Sequence, residues 1–526
     1  MTTMAKEADP LLVKKADTDV FDARKEFITL ASMAVQVSLA SVARIALVSI
    51  DSAFLGHLGT QALAASSLAS IWTAVPLFTV WSIASSLVTL CGQAWGAKNS
   101  QLVGIWLQFA VLVVTVLMVP VFIWYWCLGY IMQFATSDPE IIELGTRFAR
   151  ILAFSIWPSL LYACMRQYFQ AMGIVFPITI VGCVSIALTI AANYVLIYGY
   201  AGWGGLGFDG SPLATVLASW FQPISLYLYC FVYKKYHLQA WGGWRFEELT
   251  RDRLLIFMRM ATPLALNNLV VNMAQSCMSL IAAKLGSESI AANAVMSTLW
   301  SLVWALFWGF GCATQARVAN HLGAGHPISA QKISLMGFTC TLLTGVVLAA
   351  SVFLLRHEIF RLYTSDSELL GMCILVLPLF LLGFTLESLE MSIQAMLNGM
   401  GQTHIATYVS FFASWFVQLP VCYLLAIALD WGFVGIWYGT CITEIFKLTI
   451  FGIKYLGIDW NDMALQALQS MEVKEDDDST EELNAMDFNL PVGYVLSSPA
   501  SAVLSSSATP RRRRGSTHSY HDVNEA

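Results

Sequence analysis

Apolar runs of twenty or more residues follow one another from Phe27 to about Leu456, with only short polar breaks between them. A run of that length, coiled as a helix, crosses a hydrocarbon layer about 30 Å thick with its backbone hydrogen bonds satisfied internally. Of the 526 residues 57% are hydrophobic and 12% charged, whereas a soluble domain carries about 25% charged residues. The chain is expected to be an all-α, polytopic membrane protein.

Twelve spans can be read, at about 27–55, 61–90, 103–128, 148–170, 177–199, 213–233, 260–283, 289–315, 333–355, 371–396, 405–429 and 436–456. Residues 1–26 form a polar N-terminal segment with no short signal-peptide core. A basic linker covers 234–259, and the tail 457–526 is polar, with acids at Glu475–Asp478 and Glu481–Glu482 and then RRRRGS at 511–516. That composition predicts a disordered tail. Its arginine run suits a basic-directed kinase site or contact with anionic lipid. E-A-D-P-L-L at 7–12 fits an acidic-dileucine address label, which points to a vacuolar or other endomembrane in a eukaryote, with the plasma membrane as the alternative.

Lysine and arginine favour cytosolic loops. With the N-terminus inside, the inner loops hold Lys98, Lys234, Lys235, Arg245, Arg251, Arg253, Arg259, Arg317 and Lys332. The outer loops hold Arg147, Arg150, Lys284, Arg356 and Arg361. Both termini are therefore expected in the cytosol.

The chain repeats itself. FLGHLGTQALAAS at 54–66 aligns with IAAKLGSESIAAN at 281–293, an offset of 227, and Gly96-Ala97 meets Gly323-Ala324 at the same offset. TSDPE at 136–140 meets TSDSE at 364–368, and Met172-Gly173 meets Met400-Gly401, at 228. Several ordered matches at nearly one offset mark an internal duplication. Six spans per repeat is an even number, so the halves 27–233 and 260–456 run parallel, related by an axis along the membrane normal. CGQAWGAKN at 91–99 and NHLGAG at 320–325 then fall in the cytosolic loop after the second helix of each half. Glycine there permits a turn and close backbone approach; the alternative is a ligand role for Gln93.

Cysteines lie singly, with no C-x-x-C, and the histidines form no H-x-x-x-H pair, so no metal, cofactor or disulfide framework is expected. No G-x-x-x-x-G-K-[ST] occurs, which excludes ATP drive by this motif. An embedded enzyme would need a cluster of His, Asp or Cys at one membrane face, and none is evident. A duplicated bundle with acids at mid-depth favours a carrier with alternating access over a channel.

Several motifs carry a family likeness. C-G-Q-A-x-G-A at 91–97, D-x-A-F-x-G-H-L-G at 51–59, N-Y-V-L-I-Y-G at 193–199 and L-N-G-M-G at 397–401 resemble the multidrug and toxic compound extrusion transporters. The resemblance covers about Phe27 to Leu456. It implies two six-helix lobes and export of small organic compounds against entry of H⁺ or Na⁺, by a monomeric transport unit with no nucleic-acid partner. A lipid-linked flippase of the same superfamily is the runner-up. Where many eukaryotic members carry a Glu in the seventh helix, 260–283 has no acid; Asn268, Asn272 and Gln275 share a face instead. Asp51 matches the first-helix Asp of bacterial members. Of their fifth-helix N-x-x-x-D pattern Asn193 is kept, and Ile197 stands in the acid's place.

Charges deep in a span are costly and become functional candidates. Here they are Arg44, Asp51, Arg166, Glu387, Glu390 and Glu444. Arg44 and Asp51, seven residues apart, either pair or bracket a small site. Glu387 and Glu390 are neighbours at i, i+3, and two carboxylates that close in low dielectric do not both ionise easily, which suits proton exchange. Glu387 also falls where the eukaryotic members carry a tenth-helix Glu. Glu444 lies i, i+3 from Lys447, and Arg166 is expected to snorkel to the cytosolic edge. Trp300, Trp304 and Trp308 form one face of the eighth helix, either as lipid-facing packing or as a stacking wall for a flat or cationic substrate. Acids in helices ten and twelve favour an organic cation; Arg44 leaves organic anions such as carboxylates open.

Overall fold

The computed structural model describes residues 21–471 apart from 135, 137, 201 and 364–366. The dileucine pattern, the acidic run and the arginine run lie outside the described residues. Twelve helices are long and apolar enough to cross a membrane. They are α1 (Ala23–Leu58), α2 (Thr60–Gly96), α3 (Ser100–Trp126), α4 (Pro139–Ala171), α5 (Phe176–Tyr198) and α6 (Gly207–Tyr233), then α7 (Arg251–Ala282), α8 (Ala291–Gly323), α9 (Pro327–Leu354), α10 (Glu368–Gly399), α11 (Thr403–Ala428) and α12 (Gly432–Leu456). Number and order agree with the sequence reading.

Several helices run past their expected ends because capping residues sit outside the apolar runs. Asp22 accepts from the backbone N–H groups of Arg24 and Lys25 at 3.1 Å and starts α1. Asp138 accepts from Glu140 N at 3.0 Å, so α4 begins nine residues before its expected start at 148. At the base of α7 the helix starts at Arg251 rather than 260, which takes Arg251, Arg253 and Arg259 out of the linker and onto the helix. Arg253 pairs there with Glu248. Midway, α2 tightens at Ala84–Ser85, where Ala84 N donates to Trp81 O, three residues back. In α11 two stretches, Ala413–Gln418 and Leu424–Ala428, are π-helical.

Three apolar clusters organise the bundle. One is built from α1 to α6, with Phe257, Met260 and Ala261 from the base of α7. A second draws on α7 to α12. The third joins the halves, setting Leu30, Met33, Ala34 and Val37 of α1 against Cys312, Ala316 and Leu322 of α8. It also takes in Ala464 and Ala467 of a further helix, α13 (Trp460–Gln469). The tail was expected to be disordered from 457. Instead, Asp459 caps α13 and that helix buries its alanines, an amphipathic turn too short and polar to register as a span.

The glycine motif is also corrected. Cys91 to Gly96 is the last turn and a half of α2, not a loop, and its counterpart ends α8 at Gly323. These ends cross at backbone contact: a Cβ on Gly96 would lie 1.9 Å from Asn320 O, and one on Gly323 would lie 2.0 Å from Gln93 O. Glycine is required for the crossing rather than for a turn. Around it one contact is made twice, once by each half. Gln93 Nε2 donates to Gly399 O at 3.3 Å. Asn320, with its amide turned so that both ends are satisfied, donates to Ala171 O at 3.2 Å and to Gly92 O at 2.8 Å. An offset of 227 carries Gln93 to Asn320, and 228 carries Ala171 to Gly399. Here the repeat acts as a structural element.

Candidate functional site

Two groups of polar side chains lie within the spans, one in each half. In the second half α10 contributes Glu387 and Glu390, and α12 contributes Glu444 and Lys447. Glu390 and Glu444 are each 4% exposed. Lys447 Nζ stands 2.7 Å from Glu444 Oε1 and 3.9 Å from Glu390 Oε2, so one ammonium serves two carboxylates on different helices. The Glu444–Lys447 pair was legible from its i, i+3 spacing. The reach across to Glu390 was not. Glu387 interacts electrostatically with Glu444, Lys447 and Glu390, and the Trp300 indole faces it. Its Oε2 is buried without a hydrogen-bond partner. The cluster therefore has a part tied by one ammonium, Glu390–Lys447–Glu444, and a third carboxylate, Glu387, outside those ion pairs; Oε2 of Glu444 is likewise buried without a hydrogen-bond partner.

The tryptophan face of α8 divides. Trp300 packs edge-on against Phe380 at 5.3 Å and Phe384 at 5.6 Å, and tilted on Trp437 at 5.7 Å. That places it in the protein core beside Glu387 rather than toward lipid. Trp304 and Trp308 stack on each other at 4.9 Å. On α7, Asn272 Nδ2 donates to Asn268 O at 2.7 Å and to Asn268 Oδ1 at 2.9 Å, so the Asn272 N–H groups are taken up one turn back on the same helix. Gln275, one turn on, is exposed.

In the first half Asp51 accepts two hydrogen bonds. Asn193 Nδ2 of α5 donates to Oδ1 at 2.7 Å, and Thr215 Oγ1 of α6 donates to Oδ2 at 2.8 Å. The Asn193 contact follows the expectation. Thr215 was missed, because a threonine in an apolar run carries no signal of its own. Arg44 does not pair with Asp51; its guanidinium lies over Trp81 at 5.2 Å and Phe78 at 5.9 Å. Arg166 does not snorkel. It is 4% exposed and lies over Trp81 at 4.9 Å. Its position five residues from the end of α4 suggested an exit to water, but α2 and α8 cover that end.

The halves hold together in one part of the bundle. Glu26 of α1 takes a two-pronged contact from Arg317 of α8, at 2.6 and 2.7 Å, with His321 at 3.5 Å. Thr89 Oγ1 donates to Asn398 O at 2.8 Å and accepts from Gln315 Nε2 at 3.0 Å. With the α2–α8 crossing, these contacts lie toward the end of the bundle that carries the linker between halves.

The MatE family model matches residues 37–195 and 263–424, more than half of the chain. Among curated proteins, Protein DETOXIFICATION 16 of Arabidopsis thaliana is 28% identical over 80% of this chain and 85% of its own length. Multidrug and toxin extrusion protein 1 of Homo sapiens is 26% identical over 80% of this chain and 72% of its own. The crystal structure of a eukaryotic MATE transporter superposes with a TM-score of 0.76 at 23% identity, covering 85% of this chain and 99% of that one.

Proposed function

This chain belongs to the MatE family of multidrug and toxin extrusion transporters, and from that premise we propose that it is an antiporter exporting small organic cations in exchange for protons. The observation that carries the reading is that Glu387 stands outside the Lys447 ion pairs, in a buried cluster of three carboxylates around one ammonium. Glu390 and Glu444 share the single charge of Lys447, so with Glu387 the cluster holds three carboxylates and one ammonium. Glu387, outside those ion pairs, is the acceptor assigned to exchange. A proton there neutralises it; an organic cation there does the same by ion pairing. Binding of one therefore disfavours the other, which is the linkage antiport needs.

Its neighbours favour H⁺ over Na⁺. Beside the carboxylates of Glu390 and Glu444 stand two donors, the Trp300 N–H and the Lys447 ammonium, and an ammonium within the cluster disfavours a hard metal cation, which needs a shell of oxygens. Asp51, with both oxygens already accepting, suits a role in holding α1, α5 and α6 together and shaping the first-half cavity. Contacts between the halves at the linker end support a state closed on that side, and the lysines and arginines there support its being cytosolic, with both termini. Release on the far side requires that seal, and loading requires its opening.

The dileucine pattern at 7–12 supports placement in an endomembrane; Leu11 and Leu12 replaced together by Ala should send a tagged protein to the cell surface, and unchanged location would remove the argument. Coupling is tested in vesicles holding the purified full chain, with tetraethylammonium as probe. Uptake should follow an imposed pH gradient, ignore Na⁺, and rise with unlabelled probe on the opposite face. Uptake that tracks a Na⁺ gradient alone, or lacks that trans-stimulation, would overturn the reading.

A further inference from the structure

Two arginines in the first half lie over the same indole ring with no carboxylate paired to either among the described residues. The guanidinium carbons of Arg44 on α1 and Arg166 on α4 sit 5.2 and 4.9 Å from the Trp81 ring of α2, so both charges share one indole. They are near enough to repel each other. Arg166 is 4% exposed, and its Nε and Nη2 are buried with no hydrogen-bond partner, as is Nε of Arg44. The titratable groups of opposite potential charge that interact with Arg166 are a phenol, Tyr162, and a thiol, Cys312 of α8. Neither matches a guanidinium.

An unmatched buried charge is destabilising by several kcal/mol, and indole faces recover only part of it. Guanidinium groups present planar forks of N–H donors that fit a carboxylate in a two-pronged manner. Arg166 lies deep, while its neighbours Trp81 and Tyr162, and Arg44 and Phe78 beyond them, are half-buried. Three of those four are aromatic, so partly exposed apolar surface adjoins the guanidinium groups. The Cys312 neighbour places these groups against the second half, where a moving α8 would expose or cover them.

From this arrangement we infer that Arg44 and Arg166 form an anion subsite for an aromatic carboxylate, separate from the Glu387 cluster and of opposite sign. The carboxylate takes the free guanidinium donors, and its ring lies against Phe78 and Tyr162. This rests on the reading of the chain as a carrier of small organic compounds and widens its substrates beyond cations.

Salicylate and its neutral amide, salicylamide, are suitable probes, because they differ little except in charge. Calorimetric titration of the purified full chain in detergent should give salicylate at least tenfold tighter binding than salicylamide. Arg44→Gln and Arg166→Gln should each reduce that preference to less than threefold, and Arg44→Lys should retain part of it. Arg44 is half-buried, so Arg44→Gln remains informative if Arg166→Gln does not fold. Equal affinity for the two probes in the wild type, or an undiminished preference in a folded Arg44→Gln, would overturn the subsite. The carrier reading fails separately: proton-driven tetraethylammonium uptake can be absent while the arginine-dependent preference persists, and the reverse outcome removes the subsite alone.

Discussion

Lys447 is the residue on which the second-half cluster depends. Among the described residues it is the single cation within 4.0 Å of Glu390 and Glu444, both 4% exposed. Removing one partner of a buried ion pair costs about 3–5 kcal/mol, because the other charge stays behind. Lys447→Met should therefore lower the thermal midpoint of the purified protein by several degrees, and adding Glu444→Gln should recover part of the loss. An unchanged midpoint would mean that the ammonium is not needed to hold the cluster. At this scale the sequence was half legible. The acids stood out because charges in apolar runs are rare, and Glu444–Lys447 was visible in its spacing. Partners across helices, such as Thr215 for Asp51, Trp81 for both arginines and Lys447 for Glu390, depend on helix rotation, which residue spacing within one helix does not report. The same gap explains why Arg166 was expected at the cytosolic edge: depth was readable, cover by α2 and α8 was not.

Between elements, the α2–α8 crossing sets how closely the halves approach. Gly96 and Gly323 face backbone oxygens at about half a normal contact distance for an added Cβ, and backbone cannot swing aside as a side chain does. Gly96→Ala should push the helices apart, lower thermal stability and increase labelling of a cysteine placed at the linker end. Gly452 of α12 is a control, since a Cβ there meets nothing within 4 Å. Replacing it with Ala should be neutral or stabilising by up to about 1 kcal/mol. If both substitutions behaved alike, the crossing would not be the constraint. The repeat foretold that these segments correspond. It did not foretell that they touch, because a sequence offset reports equivalence and carries no information about docking.

Across the whole molecule, hydropathy located twelve helices and duplication placed six in each half, since both are written in long runs rather than in single contacts. The short α13 escaped because ten residues with two buried alanines leave little pattern. Its place in the cluster that joins α1, α8, α9 and α10 predicts a boundary. Removing residues 472–526 should leave vesicle transport intact, whereas removal from 459 onward should reduce folded yield; equal outcomes would show that α13 adds nothing. In the proposed exchange the two halves do different work, and they are chemically unlike: Asp51 accepts a hydrogen bond on each oxygen, while Glu387 stands outside the Lys447 ion pairs with a buried oxygen that has no hydrogen-bond partner. Proton-driven tetraethylammonium uptake by vesicles containing wild type, Glu387→Gln or Asp51→Asn, at equal folded amounts, tests that division. Glu387→Gln should abolish uptake and Asp51→Asn should only slow it. Normal uptake by Glu387→Gln alongside a dead Asp51→Asn would place the exchange site in the first half and contradict the account.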